Sequence, residues 1–388
     1  MASLPENIES AVRSVFEKNF RDRGEIGSGV ALWRGGEELI SLTGGFTNKD
    51  QTHPWDERTL VPVWSATKGP SAVSCLLALE EADLSLLSPV AEAWPEFAAR
   101  GKAQITFAQV LSHTCGLHAL EERPPILDYP AVIRALEQQA PAFPPGTNQG
   151  YQARTFGFLL DEIVRRLTKA TSLGQYFRQK IGDPMGLDFW IGLPPRENDR
   201  VATLYPGRMR AGAAVDDFGR AFAKADSPTR RSMQSPEGLN AVHDFNRPET
   251  WALGFPAMGG IGSARALAQF YSMLANGGMW KGIQLVSLAV VEKLSAPLSQ
   301  QVDLVLCHPM AFSAGMMMDP VDPQTGLKLR TLMGPSGKAF GHAGAGGSLA
   351  FADPERGLGF AYVMNQMELG VLPSEKAQDL VRALDGLA

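Results

Sequence analysis

Ser65 and Lys68, in the segment Ser-Ala-Thr-Lys, are the residues of this sequence best suited to do chemistry. Positions i and i+3 share a face of a helix, so the hydroxyl and the amine would be neighbours. Serine is a weak nucleophile until a base takes its proton, and a lysine can be that base when burial lowers its pKa. The first helical turn would also place Ser65 near unpaired backbone N–H groups. The tetrapeptide therefore predicts a serine nucleophile with a lysine base.

The spacing alone is not specific, because a chain of 388 residues with this serine and lysine content is expected to contain about one S-x-x-K by chance. A solvated lysine at an ordinary helix start is the alternative interpretation. The sequence contains no G-x-S-x-G, no H-E-x-x-H and no G-x-G-x-x-G motif. It therefore predicts neither a metal nor a cofactor.

Further segments accompany Ser65 in a fixed order along the chain. They are V-W-S-A-T-K-G at 63–69, L-S-H-T-C-G-L at 111–117, P-P-G-T at 144–147 ahead of Tyr151, M-G-G-I-G-S-A-R at 258–265, and G-H-A-G-A-G-G-S at 341–348. Together they resemble the serine β-lactamase and penicillin-recognising superfamily, and most closely the class C β-lactamase-like family VIII carboxylesterases. The resemblance runs from about residue 25 to residue 367.

The resemblance implies a β-lactamase-like fold and an acyl-enzyme mechanism. Ser65 would be the nucleophile, Lys68 its base or proton shuttle, and Tyr151 a third group that shares a proton with them in acylation and deacylation. The backbone N–H groups of Ser65 and Ala345 would form the oxyanion hole, which stabilises the developing negative charge. The residues expected to bind substrate are Trp64, Gln152, His342 and Gly344.

Two departures from the superfamily pattern bear on the substrate. Where β-lactamases and D-Ala peptidases carry Y-x-N, this chain has Tyr-Gln-Ala at 151–153, without the asparagine that binds an amide oxygen. Where they carry K-T-G, it has His-Ala-Gly at 342–344, and a neutral histidine would bind a carboxylate poorly. Both departures favour neutral esters over anionic amides. The predicted function is hydrolysis of carboxylic esters.

Several alternatives stay open at this point. An acyltransferase, a weak β-lactamase or a D-amino-acid peptidase would use the same groups, and a non-catalytic protein of the same fold would use none. Retention of Ser65, Lys68 and Tyr151 together argues against that last option. Residue by residue, Tyr151 and Trp64 could simply pack in the core, and a hydrogen-bonded structural role is the favoured interpretation of His113.

Both ends of the chain predict strands bordered by helices. Apolar residues from Ile8 to Phe16 recur at helical spacing, and two short apolar runs at 30–33 and 39–42 predict a hairpin. Near the other end, 348–352 and 358–364 predict two strands, followed by a helix that begins near Ser374.

The middle of the chain predicts helices at 71–87, 154–167 and 264–274, the last capped by Ser263. The fold class is therefore α/β (α+β), with an antiparallel sheet from both termini, flanked by terminal helices, and a mostly helical insertion. We expect a sheet domain of residues 1–62 and 300–388, an inserted domain of residues 63–299, and the site in the cleft between them.

Composition limits the setting in which such an enzyme would work. Hydrophobic residues make up 44% and charged residues 20%, which is typical of a globular chain. A net charge of −5 without a basic stripe argues against nucleic acid as a partner. Three widely spaced cysteines, no signal-peptide pattern and no membrane-length apolar run predict a cytoplasmic protein with no membrane partner. The expected partner is a small-molecule ester, and the oligomeric state is open.

Overall fold

The computed structural model of the chain describes residues 6–207 and 215–387. Thirteen strands lie in these ranges, most of them short. They are β1 (Gly27–Arg34), β2 (Glu37–Gly45), β3 (Val61–Pro62), β4 (Phe189–Ile191), β5 (Gly260–Gly262), β6 (Met279–Trp280), β7 (Ile283–Gln284), β8 (Ser299–Val302), β9 (Pro309–Phe312), β10 (Met317–Met318), β11 (Phe340–Ala343), β12 (Leu349–Asp353) and β13 (Leu358–Met364).

Thirteen α-helices accompany these strands within the same described ranges. They are α1 (Glu6–Asp22), α2 (Lys68–Glu81), α3 (Phe107–Leu111), α4 (Tyr129–Gln138), α5 (Thr155–Thr168), α6 (Leu173–Phe177), α7 (Asp183–Met185), α8 (Asp217–Ala223), α9 (Pro228–Met233), α10 (Pro248–Leu253), α11 (Ala264–Ala275), α12 (Leu288–Ser295) and α13 (Glu375–Arg382). None of the described helices is long and apolar enough to span a lipid bilayer.

The central sheet joins the two ends of the chain. Its eight strands are antiparallel, in the order β2-β1-β13-β12-β11-β10-β9-β8. The first strand pairs with the last, with Ala31 opposite Ala361. The predicted antiparallel sheet from both termini is confirmed, as are the predicted hairpin near the start of the chain and the two strands predicted at 348–352 and 358–364.

Helices cover the two faces of this sheet. Gly29 of β1 lies against Ala264 of α11, whereas Gly44 of β2 lies against Phe16 of α1. Because Gly44 is paired with Ser28, the neighbour of Gly29, the two helices contact opposite faces. Asn19 of α1 donates a hydrogen bond to the Lys376 carbonyl of α13, so the terminal helices lie together on one face.

Helix α2 is the central helix, and every residue from Lys68 to Leu79 is buried. The prediction of a helix at 71–87 was wrong at both ends. The helix begins at Lys68, directly after a 3-10 turn at Ser65–Thr67, because a proline is tolerated in a first helical turn. It ends at Glu81, since Asp83 adopts a left-handed φ of 55°.

The other predicted helices agree closely with α5, α11 and α13. The Ser263 side chain accepts a hydrogen bond from Ala266 N at 3.1 Å, which confirms it as the N-cap of α11. Helix α11 lies within the range predicted as an inserted domain, yet it packs on β13 of the sheet. The domain division at 62/63 and 299/300 therefore stays a prediction.

Gly359 provides a test of this helix-on-sheet contact. A Cβ atom there would lie 2.2 Å from Ser272 N and 2.3 Å from Ala268 O, both backbone atoms of α11. We expect Gly359→Ala to lower the free energy of unfolding by about 1–3 kcal/mol, measured by urea denaturation, because the helix must move away from the sheet. Gly337→Ala is the control, since a Cβ there meets nothing within 4 Å. Equal stability of the two variants would contradict this packing.

Candidate active site

A tight turn presents Ser65 at the start of α2. Trp64, just before it, has φ 51°, a conformation that costs a non-glycine residue of order 1–3 kcal/mol. Two contacts with Gly260 hold the turn, since Val63 N donates to its carbonyl at 2.9 Å and Gly260 N donates to Thr67 Oγ1 at 2.8 Å. The Thr67 hydroxyl in turn donates to the Trp64 carbonyl. The strained backbone is therefore fixed on both sides of Ser65.

The Lys68 amine lies beside the Ser65 hydroxyl, with 3.1 Å between Nζ and Oγ. Nζ also donates to the carbonyls of Ala153 at 3.0 Å and Ala257 at 2.9 Å. The side chain is fully buried, and burial lowers its pKa well below the ordinary lysine value. A neutral amine has two N–H groups and one lone pair. The two carbonyls can take both N–H groups, which leaves the lone pair for the serine proton.

Tyr151 is the third group at this point and is 3% exposed. Its ring centroid lies 4.8 Å from Lys68 Nζ. Burial raises the pKa of Tyr151, although a hydrogen bond with the Ser65 hydroxyl lowers it in part. At neutral pH the side chain is therefore a protonated phenol. The structure thus brings together the alcohol, amine and phenol that the sequence selected.

A buried polar layer lies behind Tyr151. The His113 ring centroid is 4.8 Å and the His342 centroid 6.1 Å from that of Tyr151. His113 Nδ1 lies 3.1 Å from Gln152 Oε1, and His342 Nδ1 donates to the Ala343 carbonyl at 2.7 Å. Burial lowers the pKa of both imidazoles, that of His342 to about 3. Both rings are therefore neutral.

Of the four residues expected to bind substrate, only one lines the cavity that contains Ser65. Trp64 lines the cavity that contains Ser65, but Gln152 and His342 do not, since both side chains are fully buried behind Tyr151. Gly344 is also outside the cavity wall. A Cβ at Gly344 would lie 2.2 Å from the Val63 carbonyl, so this glycine permits close approach of β11 to the turn before Ser65.

The cavity has a volume of about 90 Å³ and a largely apolar wall. Several of its lining residues lie in no motif that sequence reasoning selected, because they come from a helix, loops and a strand that are far apart in the chain. The lining residues are Trp64, Ser65, Tyr151, Ala153, Arg154, Met233, Met258, Leu306, Met317, Ala345 and Val371.

Arg154 is the one charged residue among those that line this cavity. The sequence analysis did not select it, although its position directly after the Tyr-Gln-Ala segment could have indicated that it lies at the site. Its guanidinium donates to the carbonyls of Pro236 at 2.8 Å, Gly238 at 2.6 Å and Leu239 at 3.2 Å, and to Asn240 Oδ1 at 2.9 Å. Burial lowers its pKa to about 10, so it remains a cation at neutral pH. Arg154 therefore anchors the 236–240 loop to the start of α5.

Two backbone donors lie at the cavity. Ser65 and Ala345 both line it, and within the described ranges neither N–H donates to another protein group. Both therefore remain available to an oxygen atom of a bound molecule.

The sequence profile of the Beta-lactamase family matches residues 12–384, and the chain belongs to this family. It is 31% identical to the esterase/beta-lactamase LipL of Mycobacterium tuberculosis over 92% of this chain and 81% of that protein. A family VIII carboxylesterase structure is 32% identical, with a TM-score of 0.85 and coverage of 99% of this chain and 98% of that one. A penicillin-binding protein homologue from Caulobacter crescentus is 35% identical, with a TM-score of 0.84 and coverage of 100% and 99%. The predicted β-lactamase-like fold is confirmed.

The state of Lys68 gives a testable pH dependence. Only the neutral amine can accept the Ser65 proton, so covalent labelling of Ser65 by a fluorophosphonate should be fast at neutral pH and slow down as acid protonates Lys68. Lys68→Arg keeps a permanent cation, and we expect labelling at pH 7 to fall at least about 100-fold.

Lys102→Arg is the matched control for that measurement. Lys102 is also fully buried and donates to three carbonyls, those of Ala99, Glu137 and Gln139, at 2.7–2.8 Å. Its substitution should change stability but not the labelling rate. Wild-type labelling of the Lys68 variant would show that the amine is not the base.

Proposed function

We propose that this protein is a serine carboxylesterase that hydrolyses neutral esters of short acyl groups through an acyl-enzyme intermediate. The observation that carries this proposal is the 3.1 Å contact between Lys68 Nζ and Ser65 Oγ. The other hydrogen bonds of the amine go to two carbonyls, and no carboxylate pairs with Lys68 in the described part of the chain. Burial without a paired anion favours the neutral form of such an amine, and the neutral form can act as a base.

Acylation would begin when the Ser65 proton moves to Lys68 Nζ. The Ser65 oxygen attacks the ester carbonyl carbon, and the negative charge that forms on the carbonyl oxygen is stabilised by the N–H groups of Ser65 and Ala345. One such donor is worth about 2.7–4 kcal/mol. The carbon–oxygen bond to the alcohol then breaks, and the leaving alkoxide takes the proton from Lys68. The products of this step are a free alcohol and an acylated Ser65.

Deacylation would use water in the place of the alcohol. Because the pKa of Tyr151 is raised, the phenol serves as a proton relay and does not persist as a phenolate. The water oxygen attacks the acyl carbon while its proton passes through Tyr151 to Lys68. The bond to Ser65 Oγ then breaks, and this oxygen regains a proton from Lys68. The carboxylic acid leaves and the resting enzyme is restored.

The size and lining of the cavity favour a substrate with a short, neutral acyl group. Its volume of about 90 Å³ is below the roughly 150 Å³ of an apolar cavity that holds benzene. Ala153 presents a methyl group where an amide-binding asparagine would help a β-lactam or peptide. His342 is neutral and buried, and the four hydrogen bonds of Arg154 go to the 236–240 loop. None of the described residues that line the cavity is thus left free to bind a substrate carboxylate.

Removal of the Ser65 hydroxyl tests the proposed nucleophile. We expect Ser65→Ala to lower kcat/KM for p-nitrophenyl butyrate at least about 1,000-fold, with an unchanged circular dichroism spectrum. Ser74→Ala is the control, because that buried hydroxyl donates only to the Pro70 carbonyl of the same helix. Wild-type turnover by the Ser65 variant would refute the mechanism.

A substrate series tests the proposed acyl pocket. With p-nitrophenyl esters from acetate to dodecanoate, kcat/KM should fall at least about 10-fold once the chain outgrows the cavity, since methylenes in such a pocket contribute about 1–3 kcal/mol each. Leu306→Ala shortens a side chain of the wall and so enlarges the cavity, which should move the preference toward esters with longer acyl chains. Nitrocefin, an anionic β-lactam, should react more slowly than the best ester. A preference for dodecanoate or for nitrocefin would contradict the assignment.

A further inference from the structure

Asp303 is a fully buried carboxylate in the loop between β8 and β9. Its Oδ1 accepts hydrogen bonds from Val305 N and Leu306 N, both at 2.8 Å. Its backbone closes the same turn, since Asp303 N donates to the His308 carbonyl and Cys307 N donates to the Asp303 carbonyl, each at 2.9 Å. The carboxylate and its own backbone thus fix the 303–308 loop.

The same carboxylate reaches a second segment far away in the sequence. Oδ1 also accepts from Tyr151 N at 3.2 Å, and Oδ2 accepts from Gln149 Nε2 at 3.2 Å. Leu304 N donates to the Gln149 carbonyl at 2.9 Å, which ties the two segments together once more. No cation pairs with Asp303 among the ion pairs of the described residues, so N–H donors alone compensate its buried charge.

Each of the two segments supplies one residue to the cavity wall. The 149–151 segment contributes Tyr151, and the 303–308 loop contributes Leu306. We propose that Asp303 is a positioning residue that holds the Tyr151 backbone against this loop and so keeps the phenol in line with Ser65 and Lys68. The proposal rests on the proposed ester hydrolysis, because it assigns Asp303 an effect on turnover through Tyr151.

Asp303→Asn should preserve this arrangement. The amide oxygen of asparagine can accept the same three backbone N–H groups that Oδ1 accepts. Gln149 Oε1 is buried without a partner, so rotation of the Gln149 amide would let it accept from the new NH2 group. Asp303→Ala offers no acceptor and leaves all four donors unpaired, which frees the Tyr151 backbone.

The experiment compares these two variants in the full chain with p-nitrophenyl butyrate and with fluorophosphonate labelling of Ser65. We expect D303A to lower kcat at least about 10-fold, with KM within about threefold, and D303N to stay within about threefold of wild type in both constants. D353A is the matched control. Its fully buried carboxylate accepts from Ser336, and it lies at the end of the β11–β12 hairpin away from Ala345.

A double variant separates positioning from stability. If Asp303 acts through the phenol, D303A should have little further effect on kcat in a Tyr151→Phe background, because coupled residues are not additive. A loss of kcat as large in that background as in wild type would overturn the proposal, as would wild-type kcat in D303A.

A third variant keeps the test decisive if D303A does not fold. In D303N combined with Gln149→Met, the new NH2 group loses its acceptor, and kcat should fall at least about threefold below that of D303N. Equal kcat in these two variants would refute the positioning role. If wild type labels with fluorophosphonate but hydrolyses no ester, the proposed function fails, whereas the effect of Asp303 is still read from the labelling rate.

Discussion

The desolvated amine of Lys68 is the constraint on which the rest of this structure depends. Removing an ammonium ion from water costs several kcal/mol unless an anion accompanies it, and here only carbonyl oxygens and a hydroxyl do. A carboxylate in their place would stabilise the cation and prevent it from accepting a proton. The site therefore needs a helix that is buried on all sides, which α2 provides.

The two carbonyls that hold Lys68 come from separate parts of the fold. Ala153 lies just before α5, and Ala257 lies in the loop after α10. A close contact joins these parts, because a Cβ at Gly157 of α5 would lie 2.6 Å from Ala257 N. Gly344 likewise permits a close backbone contact on the sheet side, where the end of β11 approaches Val63. The geometry of the amine thus depends on backbones that touch without intervening side chains.

Sequence patterns predicted the parts of the fold whose signals are local. Short apolar runs identified β12 and β13, helical periodicity identified α5 and α11, and the i, i+3 rule paired Ser65 with Lys68. The start of α2 escaped prediction because Gly69 and Pro70 resemble a helix breaker when only the local sequence is considered.

The site was less predictable where tertiary packing decides which side chains face the cavity and which are buried. Nothing in the sequence showed that His342 and Gln152 would lie behind Tyr151 instead of facing the cavity. Asp303 belongs to none of the motifs found in the sequence, and its neighbours Val302 and Leu304 are 64% and 41% exposed in the structure. Its buried position results from contacts with residues about 150 positions away, which no local pattern encodes.

The pairing of the first strand with the last has a consequence for biosynthesis. The β1–β2 hairpin is made first, but its neighbour β13 emerges from the ribosome only when more than 300 further residues have been added. Until then one edge of β1 lacks its partner, and such edges can pair with other chains. Formation of the complete central sheet must therefore wait for almost complete translation.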